Sequence, residues 1–364
     1  MLEANVEVDR REFSVAAALR VAPGERLALF GPSGSGKTTI LEMIAGLVPP
    51  RRGQVVLAGR LITQTWAPRA AVPPWQRRVG LLRQDPSLFP HLTVRQNLEY
   101  GAGPHPDPAQ TTRVASELGI GGLLGDRPAR LSGGQAHRVA LGRLLLAHCD
   151  ALLLDEPYSG LDAELRRVLT GLVRSLAAER AVPTVLVAHE LADAQAFADR
   201  LAVLDRGRLL QTGPAGEVVR RPAGRKVAEL VGYRAFVPLA GERLAGALPG
   251  GVGAGVPRGE VGAGVPPGVA GGGGPPGVAP VVAGVHPERV VPGAHPERGM
   301  VLTGRVGVCH PAGAGWEAEI RVGSEAVWCR LPDPPSGDVT VTVLDPPCFG
   351  PDGALLPRSV QVGT

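Results

Sequence analysis

A glycine-rich stretch near the N-terminus has the residue types and spacing of a phosphate-binding loop. It follows the apolar run Leu27 to Phe30, which predicts a short buried strand, and it precedes a helical pattern. Glycines let successive backbone N–H groups point inward, and the start of a helix adds partial positive charge. A flexible Gly/Ser turn is the alternative, but the full match between a strand and a helix favours phosphate binding. The stretch consists of Gly31, Pro32, Ser33, Gly34, Ser35, Gly36, Lys37, Thr38 and Thr39.

Two adjacent acids end a second apolar run. Ala151 to Leu154 predicts a buried parallel strand, and Asp155 and Glu156 follow at the sheet edge where ligands bind in such folds. Asp155 can reach a metal ion through water, and Glu156 can accept a proton from an attacking water. An exposed acidic pair without function is the alternative. Together with Lys37, which offers a charge to terminal phosphates, and the Thr38 hydroxyl, which can ligate Mg²⁺, these acids indicate chemistry on a nucleotide.

Polar residues also follow two further predicted strands. Gln84 lies at the end of the stretch Arg77 to Asp85, which predicts an apolar strand, and His189 comes after the run Thr184 to Ala188. A glutamine at such a position can hold Mg²⁺ and water, and a histidine can touch a terminal phosphate. Neither residue is diagnostic by itself.

A second anion site is predicted where small residues open a helix that runs from Ala136 to Ala147. The serine hydroxyl adds a donor, and the pairing with a phosphate loop gives the motif its weight. The residues are Ser132, Gly133, Gly134 and Gln135, preceded by Leu131.

In this order, the motifs resemble the nucleotide-binding subunit of an ABC transporter, over roughly residues 1–235. The resemblance implies a P-loop α/β core with a helical subdomain that carries the signature helix, acting on ATP with Mg²⁺. It implies a head-to-tail homodimer in which Lys37 of one copy and Ser132 to Gln135 of the other sandwich the nucleotide. Separate membrane permease subunits and a periplasmic or lipid-anchored solute-binding protein are the implied partners. The Mg²⁺ ligands would be Thr38, Gln84 and Asp155.

The resemblance also assigns roles to single residues. Glu156 would be the general base, His189 the γ-phosphate sensor, Gln84 the link to the permease and Asp162 a dimer-contacting residue. Phe13 would stack on adenine, with a place in the core as the alternative. The signature helix departs from the usual family sequence, although arginines stand where they are expected at Arg138 and Arg143. The departures are Ala136, His137, Gly142 and Leu144.

Beyond residue 235 the composition changes. Residues 236–284 are rich in Gly, Ala, Val and Pro and predict a linker, and residues 285–364 regain period-two strand patterns separated by Gly/Pro turns. His286 to Arg289 resembles the entry of the small oligonucleotide-fold-like TOBE domain that follows many ABC import ATPases. This resemblance favours an importer of the molybdate, sulfate, iron or polyamine group, with molybdate first.

The overall composition excludes some classes of function. The net charge is only +4 and Lys/Arg form no block, so nucleic-acid binding is not indicated. The N-terminus lacks a signal-peptide pattern, which predicts that the product stays in the cytoplasm. The resemblance to an ABC transporter subunit implies a peripheral place on the cytoplasmic face of the inner membrane. The surface of Leu88, Phe89 and Leu92 could bind a partner or pack inside. A soluble ABC ATPase acting on DNA or ribosomes, and an oxyanion-sensing regulator, are the rival functions.

Overall fold

The computed structural model describes residues 1–158, 161, 163–238, 282–295, 299–312, 315–344, 346–350 and 352–356. The predicted contact Asp162 lies outside the described residues. The chain forms two compact units, residues 1–218 and 219–364. This boundary precedes the predicted one at 235 because a short helix after 219 belongs to the second unit: the Arg225 N–H donates to the Gly353 carbonyl at 2.8 Å.

An eleven-stranded sheet organises the first unit. Its order is β6-β5-β4-β1-β2-β11-β10-β3-β9-β8-β7. The strands are β1 (Leu2–Asp9), β2 (Ser14–Val21), β3 (Arg26–Phe30), β4 (Arg52–Leu57), β5 (Arg60–Gln64), β6 (Ala70–Ala71), β7 (Val79–Leu82), β8 (Ala151–Asp155), β9 (Thr184–Ala188), β10 (Arg200–Asp205) and β11 (Arg208–Pro214). The helices up to the end of this unit are α1 (Lys37–Ala45), α2 (Val94–Ala102), α3 (Pro108–Glu117), α4 (Gly133–Leu146), α5 (Ala163–Glu179), α6 (Leu191–Phe197) and α7 (Ala215–Arg220).

Five neighbouring strands, β10, β3, β9, β8 and β7, run parallel. Every residue of β8 and β9 is buried, as expected for strands covered on both faces. In the register, Phe30 lies opposite Ala188, and Leu82 lies opposite Leu154. The carboxyl ends of β3, β7, β8 and β9 therefore meet at one edge of the sheet.

The strands from β6 to β2 in the sheet order pair antiparallel, and β2 pairs with β11 in parallel. One buried arginine ties the segment after β6 to the helix that follows the phosphate loop. Strands β1 and β2 pair antiparallel along their whole length. Arg77, only 5% exposed, donates from Nε to the Val72 carbonyl at 2.7 Å and from Nη1 to the Ile44 carbonyl at 2.8 Å. The Arg77 guanidinium thus binds a carbonyl at the C-terminal end of α1, where a positive charge is favourable.

Three helices, α2, α3 and α4, form the predicted helical subdomain. Thr93 caps α2, because its hydroxyl accepts from the Gln96 N–H and the Gln96 side chain accepts from the Thr93 N–H. Gly142 has a packing reason, since a Cβ there would lie 2.6 Å from Leu98 Cδ2. Among the described helices, none combines the length and the apolar character that crossing a membrane requires.

The second unit is mainly β structure with its own core, in which Ile320, Val327 and Val341 are completely buried. Its described elements are α8 (Arg225–Leu230), β12 (Ala235–Pro238), β13 (Val282–Val285), β14 (Val290–Pro292), β15 (Gly299–Ala312), β16 (Gly315–Val322), β17 (Glu325–Leu331), β18 (Asp338–Leu344) and β19 (Cys348–Phe349). They form a three-stranded sheet, β12-β13-β19, and a five-stranded sheet, β14-β18-β15-β16-β17. The predicted fold class, an α/β P-loop core followed by a small all-β domain, is confirmed.

The described structure also bears on the two ends of the predicted linker. Strands β12 and β13 fall partly inside the range 236–284 and pair antiparallel, with Phe236 opposite Gly284. The short Val/Ala runs at these ends form strands because they pair with each other, although many residues separate them in the sequence. Residues 239–281 lie outside the described part, so the linker prediction there stays a prediction.

Candidate functional site

The phosphate loop connects the end of β3 to the start of α1 and runs very close to β10. A Cβ at Gly31 would lie 2.0 Å from the Leu204 carbonyl oxygen, so only glycine fits there. Gly36 is the N-cap of α1 in the left-handed conformation, φ 102° and ψ 10°, with no side-chain cap. The first turn of α1 carries no acidic residue. The positive end of the helix therefore stays available to an anion.

Lys37, the first residue of α1, is folded against its own loop. Its ammonium donates to the Gly31 and Pro32 carbonyls, both at 2.8 Å, and the residue is only 5% exposed. Burial lowers the pKa of Lys37, while the charges of Glu156 and Asp155 act in the opposite direction. An ammonium has three donors, so one remains after these two bonds.

Thr38 and Asp155 meet across the edge of the sheet. The Thr38 hydroxyl donates to Asp155 Oδ1 at 3.1 Å, and Asp155 is 6% exposed. Burial raises the pKa of Asp155, and the Thr38 hydrogen bond partly opposes that rise. The described residues hold no cluster of three His, Cys, Asp or Glu side chains that could bind a metal ion. A hydroxyl and one carboxylate instead suit Mg²⁺, which commonly takes its other oxygen ligands from water and substrate phosphates.

Glu156 follows β8 in an unusual backbone conformation. Its φ of +50° is rare for a residue with a Cβ and costs of order 1 kcal/mol or more. Its N–H donates to the Val187 carbonyl at 3.3 Å. One carboxylate oxygen, Oε2, lies 3.7 Å from His189 Nδ1. The turn thus directs the carboxylate toward the residue that follows β9.

The other predicted residues near this edge are more exposed. Gln84 is exposed and lies two residues beyond Leu82, whose partner in β8 is Leu154, so it belongs to the same edge as Glu156. The Thr39 hydroxyl accepts from Arg10 Nη2 at 3.2 Å. Phe13 lies in the turn between β1 and β2, partly buried against the sheet core. Its predicted role at the adenine stays a prediction.

The signature motif forms the N-terminal tip of α4. Ser132 is the N-cap: its Oγ accepts from the Gln135 N–H at 3.2 Å, and Gln135 Oε1 accepts from the Ser132 N–H at 2.8 Å. Ser132 and Gly133 are exposed. The Ser132 Oγ is the acceptor in this bond, so the hydroxyl keeps its own proton for donation to an anion. Within the described part of the chain, no hydrogen bond or ion pair joins this tip to the phosphate loop.

Two contacts near the site were not expected from the sequence. Buried His137 places Nε2 3.1 Å from the Pro157 carbonyl. Arg166 donates from Nη1 to Glu190 at 3.0 Å and to Asp193 at 3.1 Å, beside His189. The only sequence signals were the departure of His137 from the family pattern and the acids that open α6. Neither signal names the partner.

The parallel sheet, the glycine loop and the paired acids define a P-loop nucleotide-binding protein. Comparison with known families agrees, since the ABC transporter family matches residues 16–159. The thiamine import ATP-binding protein of Jannaschia sp. is 38% identical over 224 residues, which cover 60% of this chain and 95% of that protein. The chain belongs to the ABC transporter family.

Further relatives are import ATP-binding proteins as well. The sulfate/thiosulfate import ATP-binding protein of Chromobacterium violaceum is 43% identical over 63% of this chain, and the molybdenum import ATP-binding protein of Mesorhizobium japonicum is 41% identical over 60%. The chain spans about three fifths of these two relatives, 62% and 60% of their lengths. A solved ATP-binding subunit of an ABC transporter is 26% identical with a TM-score of 0.52, over 60% of this chain and 92% of that chain.

The raised pKa of Asp155 predicts how one substitution changes stability with pH. Because the folded chain binds this proton more tightly than the unfolded chain, the ionised carboxylate lowers the free energy of unfolding at pH 7. We expect Asp155→Asn to raise the thermal unfolding midpoint at pH 7 in nucleotide-free buffer with chelator. The gain should vanish as the pH falls below the ordinary value of 3.8. Exposed Asp85→Asn is the control, and an unchanged or lower midpoint for Asp155→Asn at pH 7 would contradict the expectation.

Proposed function

We propose that this chain binds ATP with Mg²⁺ and hydrolyses it, and that hydrolysis drives the import of a solute through separate membrane subunits. The observation that carries the proposal is the strained turn after β8. It holds Asp155 against Thr38 and directs Glu156 toward His189, beside the open N-terminus of α1. Membership of the ABC transporter family and the import ATPases among the relatives support it.

In the proposed reaction, the side chains act by position and charge. The N–H groups of the loop from Gly31 to Thr39 and the Lys37 ammonium bind the phosphates. Thr38, Asp155 and Gln84 hold Mg²⁺, which when bound offsets the negative charge of the phosphates. Glu156 takes a proton from the attacking water, and His189 contacts the terminal phosphate. Phosphoryl transfer of this kind needs mainly positioning and electrostatic stabilisation.

The proposed active form is a head-to-tail homodimer. Ser132 and Gly133 at the tip of α4 are exposed, and the Ser132 hydroxyl can donate its proton, yet the described contacts do not connect this tip to the phosphate loop of its own chain. A second copy can bring this tip to the nucleotide held by Lys37. Asp162 is the residue proposed to contact the partner copy beside it. Each of the two sites is then complete only in the dimer.

Replacing the proposed base tests the chemistry. We expect Glu156→Gln to bind ATP as the parent does, because the phosphate contacts remain, and to lose on the order of 10²- to 10⁴-fold in turnover, about 3 to 5 kcal/mol of barrier. Phosphate release and nucleotide affinity are the measurements. Glu179→Gln, at the exposed end of α5, is the control. Turnover within about threefold of the parent would remove Glu156 from the role of base.

A bulky cation at the helix tip tests the dimer. We expect Ser132→Arg, introduced into the Glu156→Gln chain, to bind ATP as a monomer and to form no ATP-dependent dimer, because the side chain fills the space of the shared nucleotide. Size-exclusion chromatography with light scattering measures this. Ser175→Arg on the exposed face of α5 is the control. A stable nucleotide-dependent dimer of the Ser132→Arg chain would refute the shared site.

Molybdate is the solute we propose first, with sulfate, ferric iron and polyamine as alternatives. Support comes from the molybdenum import relative and from the small all-β C-terminal unit. The sulfate/thiosulfate relative is equally similar, so the choice needs an experiment. The proposed location is the cytoplasmic face of the inner membrane, bound to permease subunits that receive solute from a periplasmic or lipid-anchored binding protein. The loop from Gln84 to Val94 is the proposed contact with the permease.

Reconstitution identifies the solute. When this chain is reconstituted in vesicles with candidate permease subunits and a solute-binding protein, we expect molybdate to stimulate ATP hydrolysis and sulfate, ferric iron and polyamine to leave it at the basal rate. The measured quantity is phosphate release as a function of solute concentration. The Glu156→Gln chain in the same vesicles gives the background. Stimulation by one of the other solutes but not by molybdate would reject molybdate.

A further inference from the structure

His137 lies in the first turns of α4, close to the signature tip, and its ring makes a specific contact. The residue is 6% exposed, and Nε2 is 3.1 Å from the Pro157 carbonyl oxygen. A carbonyl only accepts hydrogen bonds, so the ring donates from Nε2. Burial lowers the pKa of His137, which keeps the ring neutral with this nitrogen protonated. The signature helix is therefore hydrogen-bonded to the residue that follows Glu156.

The backbone on both sides of Glu156 is held by hydrogen bonds. On one side, the Glu156 N–H donates to Val187 in β9. On the other side, the Pro157 carbonyl accepts from His137. Because the proline ring fixes φ, the direction of its carbonyl depends chiefly on ψ of the same residue. A bond to that carbonyl thus restrains ψ of Pro157, the residue that directly follows Glu156.

A restraint matters at this position because the backbone of Glu156 is strained. Glu156 has a φ of +50°, a conformation that persists only when the surroundings enforce it. Without the bond from His137, the turn can relax and move the carboxylate away from its place 3.7 Å from His189 Nδ1. A small misplacement of a general base lowers the rate strongly without a matching effect on substrate binding.

We propose that His137 is a positioning residue that couples the signature helix to the general base. The inference rests on the proposed function. In the proposed dimer, the tip of α4 contacts the nucleotide of one site, whereas Glu156 of the same chain serves the other site. The bond between His137 and Pro157 then links nucleotide engagement at one site to the alignment of the base at the other.

Substitution of His137 in the full chain tests the coupling. His137→Leu and His137→Met remove the donor and fill the space, and we expect each to lower kcat about tenfold while KM and the affinity for ATP stay within about twofold. The Hill coefficient for ATP should fall toward one. His137→Gln keeps an N–H donor and is expected to recover kcat to within about threefold of the parent. Exposed His148→Leu is the matched control.

A second arm asks whether the effect passes through Glu156. In the Glu156→Gln chain, His137→Leu should lower single-turnover hydrolysis no further, because the group it positions is gone. An additional loss there, an unchanged kcat in the parent background, or an unchanged Hill coefficient would overturn the coupling. Failure of the parent chain itself to hydrolyse ATP overturns the proposed function instead. The two failures are therefore distinguishable.

Discussion

The parallel register of β3, β7, β8 and β9 is the constraint on which the rest of the molecule depends. Each strand ends at the same level, so the residues that follow it reach one edge of the sheet. The side chains at this edge come from positions more than 150 residues apart in sequence, since Lys37 and His189 both belong to it. A shift of one strand by a single residue would send its terminal side chain to the opposite face.

The charged groups of Lys37 and Asp155 at this edge are hydrogen-bonded to neutral partners. The Lys37 ammonium donates two hydrogen bonds to carbonyls of its own loop, and the Asp155 carboxylate accepts one from the Thr38 hydroxyl. Burial lowers the pKa of Lys37 and raises the pKa of Asp155, which favours the neutral form of each group. Each group can still bind a partner of opposite charge. Because that partner is needed to offset the cost of burial, folding of the site without ligand is less favourable than folding with the ligand bound. This arrangement suits a site that is completed by a phosphate and a cation.

The sequence predicted the parts of the site that follow from local rules. The strand before the glycine loop, the helix after the loop and the strand before the two acids combine strong residue preferences with fixed spacing, and β3, α1 and β8 lie where these patterns predict them. The bond between His137 and Pro157 joins residues from different elements, and no local pattern encodes it. The strands at the ends of the Gly/Ala/Val/Pro-rich range likewise depend on partners distant in sequence. Tertiary pairing decided what composition could not.

Arg77 bonds the C-terminal turn of α1 to the segment before β7, and together with the sheet they form one hydrogen-bonded body. Strand β7 is in turn paired with β8. The helices α2 to α4 are joined to this body in sequence only through residues 83–93 and 147–150, which contain no described helix or strand. Any rotation of these helices relative to the sheet must therefore be accommodated in the two connections and in the hydrogen bond between His137 and the Pro157 carbonyl. Such a rotation would also change the distance between the tip of α4 and the phosphate loop.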